Sequence, residues 1–148
     1  MRTQESCEDH MNAHAKSPAD LLETKYRIKR VYDPVSNADG TRLLVERLWP
    51  RGVKKTSLEI KAWLKDVSPS TELRKWFSHD PAKWDDFCSR YHRELQANPD
   101  SWRPIIEAAR HGPVTLIYSS HDAEHNNAVA LQDFLKHRSR ARLRDEEL

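Results

Sequence analysis

Arg42, Arg47 and Arg51 surround the apolar run Leu43-Leu44-Val45. A guanidinium is costly to bury alone, so arginines flanking a buried strand are expected at its ends, paired with carboxylates or facing an anion. A second group of chemically able side chains, Ser119, Ser120, His121 and His125, follows the apolar run at 114–118. Hydroxyls there can donate hydrogen bonds, and histidine is the side chain that titrates near neutrality. Combined, the two groups describe a site for a small phosphate- or carboxylate-bearing anion. Arg42, Arg47 and Arg51 would neutralise its charge, Ser119 and Ser120 would donate hydrogen bonds, and His121 or His125 would carry a proton. Trp49, beside Pro50 and Arg51, is the candidate pocket wall, and Asn126 completes the candidate ligand-binding set. Should chemistry follow binding, His121, His125 and Ser119 are the candidate catalytic residues.

Each of these residues has a structural reading beside the chemical one. Arg47 and Arg51 can brace their loop by pairing with Glu46, Asp122 or nearby carbonyls. His121 and His125 have the four-residue spacing of metal ligands on a helix, but Asp122 stands where the general-base glutamate of that signature belongs. Neither a metal nor a cofactor is therefore expected, and Asp122 and Glu124 read as complements to a helix dipole. Ser119 lacks a Gly-x-Ser-x-Gly setting, and a serine before a helix is usually a cap. Cys88, between Phe87 and Tyr91, reads as a buried, inert thiol, and Cys7, His10 and His14 have loosely ligand-like spacing but, as three ligands in a disordered tail, make a weak metal site. Arg138, Arg140, Arg142 and Arg144 run straight into Asp145-Glu146-Glu147 and read as a solvated helix end. Those arginines and the exposed aromatics support one alternative, a non-catalytic nucleic-acid or protein interaction module.

The elements that must position these residues follow from periodicity and punctuation. Residues 1–24 are polar and aperiodic and read as a flexible extension, 25–138 as the folded domain and 139–148 as a charged tail. Strands are expected at 26–32, 42–48 and 114–118; Asp39-Gly40 is the turn before the second, and Pro50 and Gly52 stop it near Trp49. Helices are expected at 56–65, opened by the capping-box spacing of Thr56 and Glu59, and at 71–77. Further helices are expected at 81–97 after the Asp80-Pro81 cap, at 100–111 and at 122–137. A few strands among several helices make a small layered α/β domain, in which ligands sit beyond the carboxyl ends of the strands. If the second and last strands are parallel neighbours, Arg47, Arg51 and Ser119 converge on one crevice. The net charge of +2, from 25 basic and 23 acidic residues, sets up no global field for nucleic acid. No run is apolar enough to span a membrane or form a secretory signal, and the two distant cysteines point to the reducing cytoplasm.

Five segments read together carry a family resemblance: Arg30-Val31-Tyr32-Asp33-Pro34, Asp39-Gly40-Thr41-Arg42, Arg47-Leu48-Trp49-Pro50-Arg51-Gly52, Pro69-Ser70-Thr71-Glu72-Leu73-Arg74 and Tyr118-Ser119. With Glu124-His125-Asn126, they resemble the YeaO-like group of the family called domain of unknown function 488, over about residues 26–137. The resemblance implies a compact bacterial α/β domain, Rossmann-like in layering, with a short, mostly parallel sheet flanked by helices. It brings no catalytic residues, because the family's function is not established. Two positions depart from the family pattern. Glu46 stands where aspartate is usual, and His121 where lysine or arginine is usual, which makes that positive charge dependent on pH.

Overall fold

Val114-Thr115-Leu116-Ile117-Tyr118 has no charged side chain, so both of its faces can be covered, and every one of its residues is buried. It is the fourth of four strands in the computed structural model, which describes residues 25–147 and side chains as far as Arg138. The extension at 1–24, with Cys7, His10 and His14, and the side chains of Arg140, Arg142 and Arg144 lie outside the described residues. The strands are β1 (Tyr26–Arg30), β2 (Thr41–Leu44), β3 (Ala62–Trp63) and β4 (Val114–Tyr118). They pair in the order β1-β4-β2-β3, all parallel, with Arg30 opposite Tyr118 and Leu44 opposite Ile117. The carboxyl ends of β1, β2 and β4 therefore lie side by side. The protein is the small α/β domain that the sequence implies, its sheet flanked by α1 (Lys55–Leu58), α2 (Thr71–Phe77), α3 (Trp84–Ala97), α4 (Arg103–Ala109) and α5 (Asn127–Glu147).

Packing follows the apolar spacing. Trp84, Phe87, Tyr91 and Leu95 recur at three and four residues along α3, and all four are buried. They join Phe77 of α2, Leu131 and Phe134 of α5, and Leu43 and Leu116 of the sheet in the larger core. A smaller cluster of Val31, Leu44, Leu58 and Ile117 lies under Trp49 and Trp63. Asp80 caps the 3-10 turn Pro81–Lys83 that leads into α3, accepting from the Ala82 N–H at 3.0 Å. Among the described residues no helix is long and apolar enough to cross a membrane.

The first strand stops at Arg30 and the helix expected at 100–111 covers only Arg103–Ala109, while three other elements differ more from expectation. The second strand ends at Leu44, although the Val45 N–H still donates to the Ile117 carbonyl at 3.1 Å. The helix expected at 56–65 is a single turn without a side-chain cap, ended by Glu59 at φ 55°. Tertiary pairing overrides helical propensity there: the N–H groups of Lys61 and Leu64 reach the carbonyls of Arg42 and Leu44 at 2.7 and 2.8 Å and build β3 on the open edge of β2. The last helix starts at Asn127 rather than near Asp122 and continues past His137 to Glu147. Its start is displaced because Asp122 Oδ1 accepts from the N–H groups of Glu124 and His125, at 2.9 and 3.0 Å, and holds a turn instead.

The side chain that opens α5 is Asn126, whose Oδ1 accepts from the Val129 N–H at 3.0 Å while Nδ2 donates to the Asp122 carbonyl at 2.8 Å. Asn126 is 3% exposed, and these bonds occupy both ends of its amide. Replacing Asn126 by alanine is expected to cost about 1 kcal/mol, with about 2 as the upper end, measured by urea unfolding. An unchanged midpoint would show that the cap is dispensable.

Candidate functional site

Beyond the carboxyl ends of β2 and β4, the loops at 45–53 and 119–126 face α2 and its exit turn across a cleft of about 920 Å³. The two loops are tied together where Asn127 Nδ2 donates to the Val45 carbonyl at 2.7 Å. Arg47, Trp49, Arg51, Ser119, Ser120, His121, His125 and Asn126 all line this cleft. Arg42 does not. It lies within β2 opposite Thr115, 4% exposed, and donates to Asp39 at 2.6 Å and to the carbonyls of Leu58 and Glu59 at 3.0 and 3.1 Å. Its guanidinium is spent on holding β2 and cannot also neutralise a ligand.

Arg47 is half-buried and underused. Its Nη2 reaches the carbonyls of Ser68 and Pro69 at 3.4 Å each, the long limit of a hydrogen bond, and its buried Nε has no partner. Neither Arg47 nor Arg51 forms an ion pair with a described carboxylate, and the Arg51 guanidinium is exposed. Trp49 is anchored as a wall: its indole N–H donates to the Val53 carbonyl at 2.6 Å and its ring meets Trp63 edge-on at 5.2 Å.

The loop after β4 is held by its own polar groups. Ser120 Oγ accepts from the Asp122 N–H at 3.1 Å, and the Ser120 carbonyl accepts from Arg30 Nε at 2.9 Å. Exposed His121 places Nδ1 3.0 Å from Arg30 Nη2. His125 places Nδ1 3.0 Å from Asp122 Oδ2, and its ring packs edge-on against Trp84 at 5.2 Å. Residues 121–125 are not helical, so the metal-type spacing of the two histidines loses its geometric basis. Among the described residues no group of three histidine, cysteine, aspartate or glutamate side chains could hold a metal ion. Burial would raise the Asp122 carboxyl, but the bonds from the Glu124 N–H and from the His125 side chain and N–H outweigh it and hold it below its ordinary value.

The cleft contains an acid whose position the sequence left open. Glu46 follows β2, and its Oε2 accepts from the Ser119 N–H at 3.0 Å. It therefore pairs with Ser119 rather than with Arg47. Burial pushes this carboxyl above its ordinary value, against the opposing pull of Ser119, Arg74 and His79. Arg74 and His79 line the same cleft from α2 and its exit turn. Their signals were faint: Arg74 belongs to the Pro69–Arg74 motif, and His79 follows a helix with no pattern of its own. Ser78 and His79 have φ of 49° and 58°, two consecutive left-handed residues without a glycine, and that strain falls on the cleft's rim. Away from the cleft, burial and the charges of Asp133 and Asp85 push the Cys88 thiol up to about 12, which leaves it inert at neutral pH.

The family described as "Inactive DUF488-N3 subclade" matches residues 25–147. The chain is similar to the uncharacterized protein YeaO of Escherichia coli (strain K12), with 43% identity over 108 residues, 73% of this chain and 94% of that protein. It is also similar to the uncharacterized protein Rv3073c of Mycobacterium tuberculosis (strain ATCC 25618 / H37Rv), 47% identical over 75 residues, 51% of this chain and 64% of that protein. The same identity and coverage hold for the uncharacterized protein Mb3100c of Mycobacterium bovis. No solved structure matches.

Proposed function

We propose, for a chain that belongs to the YeaO-like DUF488 family and within it to the inactive DUF488-N3 subclade, a function in binding rather than in chemistry. The cleft takes a small oxyanion, phosphate or carboxylate, at the ends of β2 and β4. One observation carries this reading: the Arg47 guanidinium enters the cleft wall with Nε buried and unpartnered and with only two long bonds at Nη2. A buried donor left unsatisfied costs about 1–3 kcal/mol, and turning the guanidinium onto a ligand oxygen would recover that cost. Arg74 and Arg51 line the same cleft with no described carboxylate in ion-pair range, so the anion gains further charge.

The polar pairing argues against a nucleophilic site. His121 Nδ1 lies against Arg30 and His125 Nδ1 against Asp122, and no hydrogen bond among the described residues joins the Ser119 hydroxyl to either ring, so no serine–histidine pair is assembled. The subclade's description as inactive agrees with that arrangement. The interaction-module alternative is weakened because several aromatic rings already carry one of the chain's own cations. Arg30 lies 4.7 Å from the Tyr32 ring, Arg90 4.1 Å from Trp76 and Arg138 4.6 Å from Trp102.

The test is thermal unfolding with sulfate, phosphate, carboxylates and nucleotides, comparing wild type with Arg47→Ala. An anion at about a hundredfold excess over its dissociation constant is expected to stabilise wild type by about 2.7 kcal/mol. Arg47→Ala is expected to melt cooperatively and to lose that stabilisation. If no anion shifts the wild-type transition, the anion reading is wrong.

A further inference from the structure

We infer that the cleft takes up its oxyanion together with a proton, which resides on the Glu46 carboxyl and lets that group donate a hydrogen bond to the bound anion. This rests on the anion reading above and settles what that reading leaves open, namely why a carboxylate lines a site for anions. Glu46 lies two residues past the end of β2, and the Ser119 N–H bonds its Oε2 while no described hydrogen bond occupies Oε1, which is left for a ligand. Among the described residues it has no ion-pair partner. An ionised carboxylate there repels what Arg47 and Arg74 attract. A neutral carboxyl removes that repulsion and adds a donor, as buried acids do when they serve anionic or electron-rich partners.

The surroundings favour the neutral form once an anion is present. From α2 and its exit turn, the exposed Arg74 and His79 are the basic groups that act on Glu46. From α3 come the Tyr91 hydroxyl, committed to the Val67 carbonyl, and Glu94, committed to the Ser70 N–H and hydroxyl. From the loop after β4 come His121, held by Arg30, and Asp122, held by His125. A bound anion adds a negative charge and occupies the very guanidiniums that would otherwise keep Glu46 ionised. Burial already pushes the carboxyl upward before any ligand arrives. The sign follows: binding raises the proton affinity of Glu46, so the anion binds more tightly as pH falls, by at most about tenfold per pH unit.

Isothermal titration of the full chain with sulfate tests this, since sulfate itself does not titrate between about pH 5.5 and about pH 7.5. Buffers of different ionisation enthalpy report the protons absorbed. Wild type is expected to absorb up to one proton per sulfate and to lose affinity as pH rises. Glu46→Gln, a neutral isostere, is expected to bind sulfate about tenfold or more tighter than wild type at about pH 7.5, with no proton uptake. His79→Ala is expected to keep the uptake. Absence of uptake in wild type, or uptake that survives in Glu46→Gln, overturns the proposal while leaving anion binding intact. If neither chain binds sulfate at either pH, the anion reading fails and this inference with it. Should Glu46→Gln not fold, the wild-type uptake and its persistence in His79→Ala decide the matter.

Discussion

Replacing Asp39 by alanine is expected to destabilise the protein by about 3–5 kcal/mol, because it strips the buried Arg42, and the half-buried Lys29 beside it, of their counter-ion. Asp39 is 4% exposed and receives Arg42 Nη1 at 2.6 Å, Lys29 Nζ at 2.8 and 3.1 Å and the Ser36 N–H at 3.0 Å. Without the carboxylate, Arg42 keeps only two neutral carbonyls and lies near the ammonium of Lys29. Urea unfolding at neutral pH measures the loss. Adding Arg42→Met to Asp39→Ala is expected to recover a large part of it, since removing both charges avoids the buried, unpaired one. Equal instability in the double variant would show that packing, not charge, sets the cost.

The same cluster predicts a pH dependence. Burial by itself would raise the Asp39 carboxyl, but the bonds from Lys29, the Ser36 N–H and Arg42 outweigh it and hold it below its ordinary value. A carboxyl depressed in the folded state contributes stability that is fully present above its unfolded value, about 3.9, and that is lost as pH falls through the folded value. The gap between wild type and Asp39→Ala is therefore expected to narrow in acid below about pH 4. A gap that stays constant through that range would refute the linkage.

Gly40→Ala is expected to cost at least about 3 kcal/mol, and Gly52→Ala about 1 or less. Gly40 has φ 65° and ψ −134°, and a Cβ added there would lie 2.2 Å from the Pro113 carbonyl oxygen and 2.9 Å from its carbon. That carbonyl accepts the Thr41 N–H at 3.0 Å, where β2 first meets the chain entering β4, so the clash cannot relax without opening the sheet. Gly52 also has positive φ, 76°, but nothing lies within 4 Å of the added carbon, so it meets backbone strain alone. Thermal melts of the two variants separate the effects. Similar losses would mean that strain, not the approach of Pro113, explains Gly40.

The elements read correctly from sequence are those whose signals are local. The buried spacing of Trp84, Phe87, Tyr91 and Leu95, the Asp80-Pro81 start and the uncharged strand Val114–Tyr118 each depend on residues a few positions apart. The elements misread depended on partners far along the chain. Ala62–Trp63 became strand because β2 offered open carbonyls, and the last helix began late because Asp122 bonded the N–H groups of Glu124 and His125.

The same division applies to the candidate site. Residue types and strand ends were enough to nominate Arg47, Trp49, Arg51, Ser119, Ser120, His121 and His125, and the parallel pairing of β2 with β4 puts them around one cleft. The family and the α/β class were legible in the sequence alone, because these reside in composition and short motifs. Which charges are spent on the fold and which are left to the cleft depends on contacts that form between distant segments. Arg42 and Arg47 are five positions apart with the same guanidinium, yet Arg42 is saturated by Asp39 and two carbonyls while Arg47 keeps an unpartnered Nε. A guanidinium's role depends on the groups within about 3 Å of its nitrogens, and those are chosen by how the chain folds back on itself, not by its order.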